Sequence, residues 1–367
     1  MLRLIGVTLA FILIALLVII YPVAGVLRFG FLKKIYQNKC RPYIAVAALI
    51  PIAVIIIFCI VSMVNTMVVL VHIAFFLGLC DLVGLIIGRL AKKKPATYIY
   101  TLIALLLTAV YLGKGWYNVH HVRETDYTIK TQKNLGDKPL RIVQISDSHV
   151  GATFHADGFA KHLETIQKTN PDIILFTGDF VDDDTTKEDM IKSCEALGKM
   201  DSTYGIYMIY GNHDKGYFNY RNFTVAELEE QLAKNNIILL QDETVLIDDR
   251  FYIVGRQDRT QTDRIEASRL MEGLDTSKYI IMLDHQPNDY DNESATDTDL
   301  VLSGHTHGGQ LIPIGPIGEL IGANDATYGL EERNNTTFIV NSGISDWAIK
   351  FKTGTFSEYG VIDIIPE

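Results

Sequence analysis

The chain holds a single acidic residue, Asp81, among its first 122, against eleven Lys and Arg. The residues that follow, to 367, carry 42 acidic and 22 basic side chains, so a net charge of +10 gives way to −20. Within the basic part lie four apolar stretches: Ile5–Tyr21, Tyr43–Val64, Met67–Ile87 and Thr97–Leu112. Crossing a bilayer takes roughly 17–25 mostly apolar residues. The first three stretches reach that length, and Trp116 and Tyr117, just after the shorter fourth, suit a water–lipid interface. One such stretch fits a buried soluble helix equally well; four in series between basic loops do not. The pattern predicts a transmembrane region over 1–113 with helices at about 4–24, 43–64, 67–88 and 96–113, a linker at 114–126, and a separate domain over 127–367.

The basic residues also predict an orientation. Arg28, Lys33, Lys34, Lys39 and Arg41 separate the first two stretches, and Arg89, Lys92, Lys93 and Lys94 the last two. Short Lys/Arg-rich loops stay cytoplasmic, which puts the acidic half outside a multi-pass cell-membrane protein. A cleaved signal peptide is the rival for the first stretch. It has only Arg3 ahead of it and five basic residues behind, so an uncleaved helix is expected. His72 and Asp81 are costly in lipid, and a helix-pairing contact or a carboxylate near the interface is expected of them rather than a polar path. Cys40, Cys59 and Cys80 belong to the apolar half. Cys194 is alone in the other, which excludes an internal disulfide framework there.

From Tyr127 the pattern changes to short apolar runs, each ending in a polar loop and several followed by a helical stretch. Strands are expected in "LRIVQISDSH", "PDIILFTGDF", "GIYMIYGNHD", "IILLQDETVLI", "FYIVGRQD", "YIIMLDHQP", "DLVLSGHTH", "TTFIVNSG" and "EYGVIDII". Helices are expected at Ala156–Lys168, Lys187–Lys199 and Val225–Asn235. Strands alternating with helices imply a largely parallel sheet, whose ligands gather beyond the carboxyl ends of the strands.

Polar residues of one chemical kind collect at those ends: Asp147 and His149; Asp179; Asn212, His213 and Asp214; His285; His305 and His307. Five of the seven histidines in 123–367 are among them, the exceptions being His155 and His162. A lone D-x-H or H-x-H usually belongs to an ordinary loop. Five such clusters in succession are not explained that way. Imidazole with carboxylate suits divalent Mn, Fe or Zn, and the set is too large for one ion. Two ions about 3.5–4 Å apart, sharing a carboxylate, are an arrangement for displacement at phosphorus. Glycines 178, 211, 304, 308 and 309 fit tight turns beside these groups.

In "DSH", "GDFVDD", "GNHD", "DHQP" and "GHTHGGQ", in that order, the chain resembles the calcineurin-like metallophosphoesterases, from about Leu140 to Ile364. The closer likeness is to bacterial membrane-associated members containing "LSGHTHGGQ". The resemblance implies an α/β fold, an αββα two-sheet sandwich. It implies one metal on Asp147, His149, Asp179 and His307, and a second on Asp179, Asn212, His285 and His305, with Asp179 bridging. A hydroxide held between the ions would attack phosphorus. His213 would face the substrate, oriented by Asp214. Asp258 would have a structural role, and Asp182, Asp183 and Asp184 would form a solvated acidic loop, Asp182 standing behind the ligands. Relatives carry an Arg before the last strand, where this chain has "AIKFKTGTFSEYG".

The expected function is therefore hydrolysis of a phosphate mono- or diester by a membrane-anchored enzyme. A lipid or envelope phosphoester is the substrate class that a tether favours. The acidic balance disfavours nucleic acid, whose binding needs clustered Lys and Arg. The alternatives are a membrane sensor or transport accessory with a phosphoesterase-like domain, and a protein phosphatase.

Overall fold

The structure is a computed structural model describing residues 18–26, 28, 41–92, 97–136, 138–218, 221–312 and 315–367. Two compact units divide the chain between Lys114 and Gly115. Most of the first predicted helix, with Lys33, Lys34, Lys39, Lys93 and Lys94, lies outside the described residues.

Where four membrane-length helices are expected, two long apolar helices are found among the described residues. The second and third stretches fall in the helical span α1 (Arg41–Leu90), which is broken by a kink at Ser62, at φ −160° and ψ 103°, close to the boundary expected between them. Asn65 and Thr66, which lie between the two stretches, bond back to this kinked residue. Thr66 Oγ1 donates to Ser62 O at 2.7 Å and Asn65 Nδ2 to Ser62 Oγ at 2.8 Å, a satisfaction open to short polar side chains mid-helix. The fourth stretch is α2 (Thr97–His120). Asp81 accepts from Tyr21 Oη at 2.5 Å and Arg28 Nη1 at 2.6 Å, a pairing of residues 18–28 with α1. His72 Nδ1 lies 2.7 Å from Val68 O of its own helix.

In the second unit, twelve strands form two six-stranded sheets. The first has β1 (Arg123–Thr131), β12 (Glu358–Pro366), β2 (Leu140–Ile145), β3 (Ile173–Thr177), β4 (Ile206–Ile209) and β5 (Ile237–Leu239), in that spatial order. The second has β10 (Gly329–Arg333), β11 (Thr336–Val340), β9 (Leu300–Ser303), β8 (Tyr279–Leu283), β7 (Phe251–Gly255) and β6 (Glu243–Ile247). β2 through β5 pair in parallel, as do β7, β8, β9 and β11.

Alternation along the central strands explains the layering, because successive side chains point to opposite faces. Ile142, Ile173 and Leu175 meet Ile281, Leu283 and Leu302 between the sheets. Val143, Ile174 and Phe176 face outward under α3 (Ala156–Ile166), α4 (Lys187–Leu197) and α5 (Val225–Lys234). Both faces of these strands are buried, hence their near-continuous apolar runs. The sandwich is uneven: over the second sheet, among the described residues, lie single helical turns at Ala267–Leu270 and Tyr290–Glu293. One polar tie crosses between the sheets beneath the strand ends. The buried Gln144 amide donates to Thr177 Oγ1 at 3.2 Å and to Ser303 O at 2.9 Å.

Candidate metal centre

All five clusters follow strand ends: β2 leads to Asp147 and His149, β3 to Asp179, β4 to Asn212–Asp214, β8 to His285, and β9 to His305 and His307. Reversing the chain there requires unusual backbone geometry. Asp147, His149, Asp179, His305 and His307 all have positive φ, between 36° and 70°. Such conformations are sparse for residues with a Cβ and collect at functional sites. The loops are pressed together as well: a Cβ on Gly211 would strike Asp179, and one on Gly304 would strike Ser146 and Asp147.

Two trios result. Asp147, His149 and His307 offer ligand atoms within 4.8 Å of one another, and so do Asp179, His285 and His305. Backbone amides hold each carboxylate from one side. His305 N donates to Asp147 at 3.1 Å and His213 N to Asp179 Oδ1 at 2.8 Å. Asp179 Oδ2 is left facing both trios, 3.2 Å from His285 Nε2 and 3.5 Å from His149 Nε2. Asn212 presents Oδ1 at 3.1 Å from His285 Nε2.

Each of three rings has its Nδ1 engaged on the outer side. Asp182 Oδ2 lies 3.3 Å from that of His149, Asp346 Oδ1 3.0 Å from that of His307, and Thr177 O 2.8 Å from that of His285. This fixes Nε2 as the inward nitrogen, the usual support for a metal-bound imidazole. Neither buried ring nitrogen of His149 has a hydrogen-bond partner among the described residues; Nδ1 meets Asp182 as an ion-pair contact, and Nε2 faces Asp179 and Asp147. An orphaned buried nitrogen aimed at two carboxylates fits a cation.

The electrostatics agree. Burial opposes a charge on His149, yet Asp182, Asp179 and Asp147 prevail and hold its pKa up at about 9. His285 is raised against its burial, chiefly by Asp179, and Asp179 is lowered against its own by His285 and His149. His305, half-buried and beside His285, is pushed down to about 4, chiefly by desolvation. This field attracts positive charge, and a divalent cation competes with protons for it. Nitrogen and carboxylate oxygen without thiolate suit a pair of divalent transition ions; Cys194 is in the core under α4. The two His/Asp clusters are consistent with a dinuclear metal site.

Two expectations, for Asp214 and for the acidic loop, are met differently. Asp214 accepts from the backbone of Gly211 at 2.7 Å, Asp179 at 2.8 Å and Val181 at 3.0 Å. Among the described residues no hydrogen bond joins it to the His213 ring, because backbone donors already occupy both oxygens. Its observed work is to clamp the β3 and β4 loops together. Asp182 is not solvated but buried against His149, and Asp183 accepts from Tyr217 N and Phe218 N. Asp258 is buried and holds Gln286 Nε2 at 2.9 Å, a structural contact next to His285. His213 stands half-buried at the mouth of a cleft of about 600 Å³, between His149, Tyr217 and Trp347, and Asp179, His305 and His307 lie inside.

Asp346 and Lys352 carry no motif and are not legible as site residues in the sequence. Lys352 is fully buried, donating to Ser342 O at 2.6 Å and Ser345 O at 3.0 Å and lying 3.8 Å from Asp346. It comes from the segment where relatives are expected to carry Arg.

Comparison with known proteins accords with this geometry. A family profile described as calcineurin-like phosphoesterase matches residues 140–309. An uncharacterized metallophosphoesterase of Campylobacter jejuni is 30% identical over 79% of this chain and 78% of its own. One from Aquifex aeolicus is 31% identical over 57% and 79%. A zebrafish (Danio rerio) protein named transmembrane protein with metallophosphoesterase domain is 26% identical over 81% and 71%. Five strand-end loops carrying the motifs in order, and relatives matched over most of their length, place the chain in the calcineurin-like metallophosphoesterase family.

Proposed function

We propose that the protein is a membrane-anchored phosphoesterase that hydrolyses a phosphate mono- or diester at a dinuclear metal centre. The observation that carries this is Asp179 Oδ2, poised between His149 Nε2 and His285 Nε2 where the two trios meet. Asp147, His149 and His307 would hold one ion and Asn212, His285 and His305 the other, with Asp179 shared. When bound, such a pair supplies Lewis acidity toward both the attacking water and the phosphoryl group. The residues' own work is positioning, which is most of what phosphoryl transfer asks of a protein. His213, at the cleft mouth, donates to a phosphoryl or leaving-group oxygen. Asp214 fixes the backbone from which His213 and Asp179 project.

Anchoring rests on Ile55–Leu90 and Thr97–His120, at mean hydropathies of 2.4 and 1.5, and on the transmembrane relative from zebrafish. The Lys and Arg around these helices favour an extracytoplasmic catalytic unit. A phosphoester carried by a lipid or envelope polymer is the substrate class that this placement offers.

The test is hydrolysis of aryl phosphate mono- and diesters by the detergent-solubilised full chain. Activity abolished by a chelator and restored by Mn, Fe or Zn is expected. A folded chain inactive with every divalent metal overturns the reading.

A further inference from the structure

The exposed apolar side chains of the second unit are unevenly placed. Leu320 is 85% exposed, Ile321 71%, Ile312 54% and Ile317 44%. All belong to the segment that follows the last metal-centre loop, "QLIPIGPIGELIGA" (310–323), whose one charged residue is Glu319. Large aliphatic side chains left together in water mark a contact surface.

What covers this surface is indicated by the hydrogen bonds beneath it. Ile312 N donates to Thr353 Oγ1 at 3.0 Å, and Thr353 N to Gln310 O at 2.8 Å. Lys352 N donates in turn to Gly115 O at 3.0 Å, five residues before the end of α2. Asn118 Nδ2, from the last turn of that helix, donates to Lys352 O at 3.0 Å and Thr355 O at 3.1 Å. Gly115 is bare where a Cβ would meet Thr353. The aliphatic segment is thus strapped through residues 352–355 to the point where a helix of membrane length ends. At that level α2 exposes Trp116 and Tyr117, the residue types that sit among lipid headgroups. On its other side the segment reaches the metal centre: Gln310 Nε2 donates to Asp346 Oδ1 at 2.9 Å, and that oxygen faces His307 Nδ1.

We propose that Ile312, Ile317, Leu320 and Ile321 dip into the bilayer interface and seat the cleft mouth at headgroup depth, so that the substrate is an amphiphile whose phosphoester lies at that depth. This rests on the anchored-enzyme reading above and adds a second, shallow contact that α2 alone does not require. Aliphatic side chains at the acyl boundary gain in proportion to the apolar area buried.

The experiment uses the unmodified full chain in phosphatidylethanolamine–phosphatidylglycerol vesicles that contain a phospholipid with a diazirine near the head of its acyl chain. Photolabelled peptides are mapped by mass spectrometry. Adducts are expected on 311–323 as well as on α2, and none on Ala267–Leu274. In Leu320→Glu/Ile321→Glu the adducts on 311–323 should be lost and those on α2 retained. Hydrolysis of a soluble aryl phosphate should stay unchanged in that variant, since no metal-centre residue is altered. Labelling of α2 without labelling of 311–323 overturns the interfacial segment and leaves the anchor standing. Chain-to-chain cross-links through 311–323 in place of lipid adducts assign the surface to a second copy and equally overturn it. Absence of label from both regions overturns anchor and segment together.

Discussion

Asp346→Asn separates two duties of one buried carboxylate. Its Oδ1 lies 3.0 Å from His307 Nδ1, 2.9 Å from Gln310 Nε2 and 3.8 Å from Lys352 Nζ. Asparagine keeps the shape and puts its amide nitrogen where Oδ2 has no hydrogen-bond partner, so the change is chiefly one of charge. At His307 the loss weakens the acceptor that makes Nε2 a good ligand. Removing such a partner costs roughly 10–100-fold in metal affinity, or about 1.4–2.8 kcal/mol. At Lys352 the loss strands a buried ammonium, for which about 3–5 kcal/mol is usual. Ser342 O, Gly343 O and Ser345 O still accept from Nζ, which puts the expected cost near the lower end, about 3 kcal/mol. Manganese titration by calorimetry and thermal unfolding, both on the full chain in detergent, read the two effects. Adding Lys352→Met should restore much of the stability and none of the metal affinity. Adding His307→Ala should leave Asp346→Asn with little further effect on affinity. If affinity returns with stability in the Lys352→Met background, Asp346 is only the counterion of Lys352 and the argument for its action on His307 fails.

Asp179→Asn should abolish aryl phosphate hydrolysis and weaken metal binding at both ions while circular dichroism stays unchanged. Loss confined to one equivalent of metal would contradict a shared carboxylate. His213→Ala should lower kcat by about 10²–10³-fold, as for loss of one donor to a developing charge, with metal affinity intact; full turnover in the purified variant would remove His213 from the reaction. Gly304→Ala drives a methyl into Ser146 and Asp147 and should cost about 1–3 kcal/mol together with metal affinity, measured by thermal unfolding and titration. Arg256→Met removes the guanidinium that lies 2.9 Å from Asp284 and 2.8 Å from Glu293; Asp284 keeps Arg264, and Glu293 is left buried without a cation. Denaturant unfolding should show a loss of about 3–5 kcal/mol, and a loss well under 1 kcal/mol would mean the network is already neutralised by protonation of Glu293.

What was legible in the sequence was what one period or one motif encodes. The runs under β2, β3, β4, β8 and β9 are apolar on both faces, and their polar sequels sit at strand ends because parallel strands all deliver their loops to one edge. Strands β1 and β10 were not legible. "RETDYTIKT" and "GLEER" are half-exposed and charged, and the backbone partners that make them strands, in β12 and β11, are invisible to local pattern. The break between the second and third apolar stretches falls at Ser62, whose hydroxyl accepts from Asn65 N at 3.3 Å, as an N-cap does.

The same distinction separates the candidate ligands from what supports them. Metal-ligand types are rare and clustered, so Asp147, His149, Asp179, His285, His305 and His307 stand out in the sequence. Their supports are common groups used once each: a carboxylate at Asp346, a carbonyl at Thr177, an ammonium at Lys352. The positive φ at Asp147, His149, Asp179, His305 and His307 is also not legible in the sequence, since the enrichment of Asp and His in the left-handed region is too weak to mark any one position. That strain has a source in the fold. Asp214 takes three backbone N–H groups at the β3 and β4 loops, and Asp147 takes one at the β9 loop. Carboxylates that would repel one another in an open loop are thus forced to converge. Folding energy from the sheets holds them there, and a divalent cation returns part of it by neutralising the cluster. The site is destabilising taken alone, and its affinity for metal follows from that.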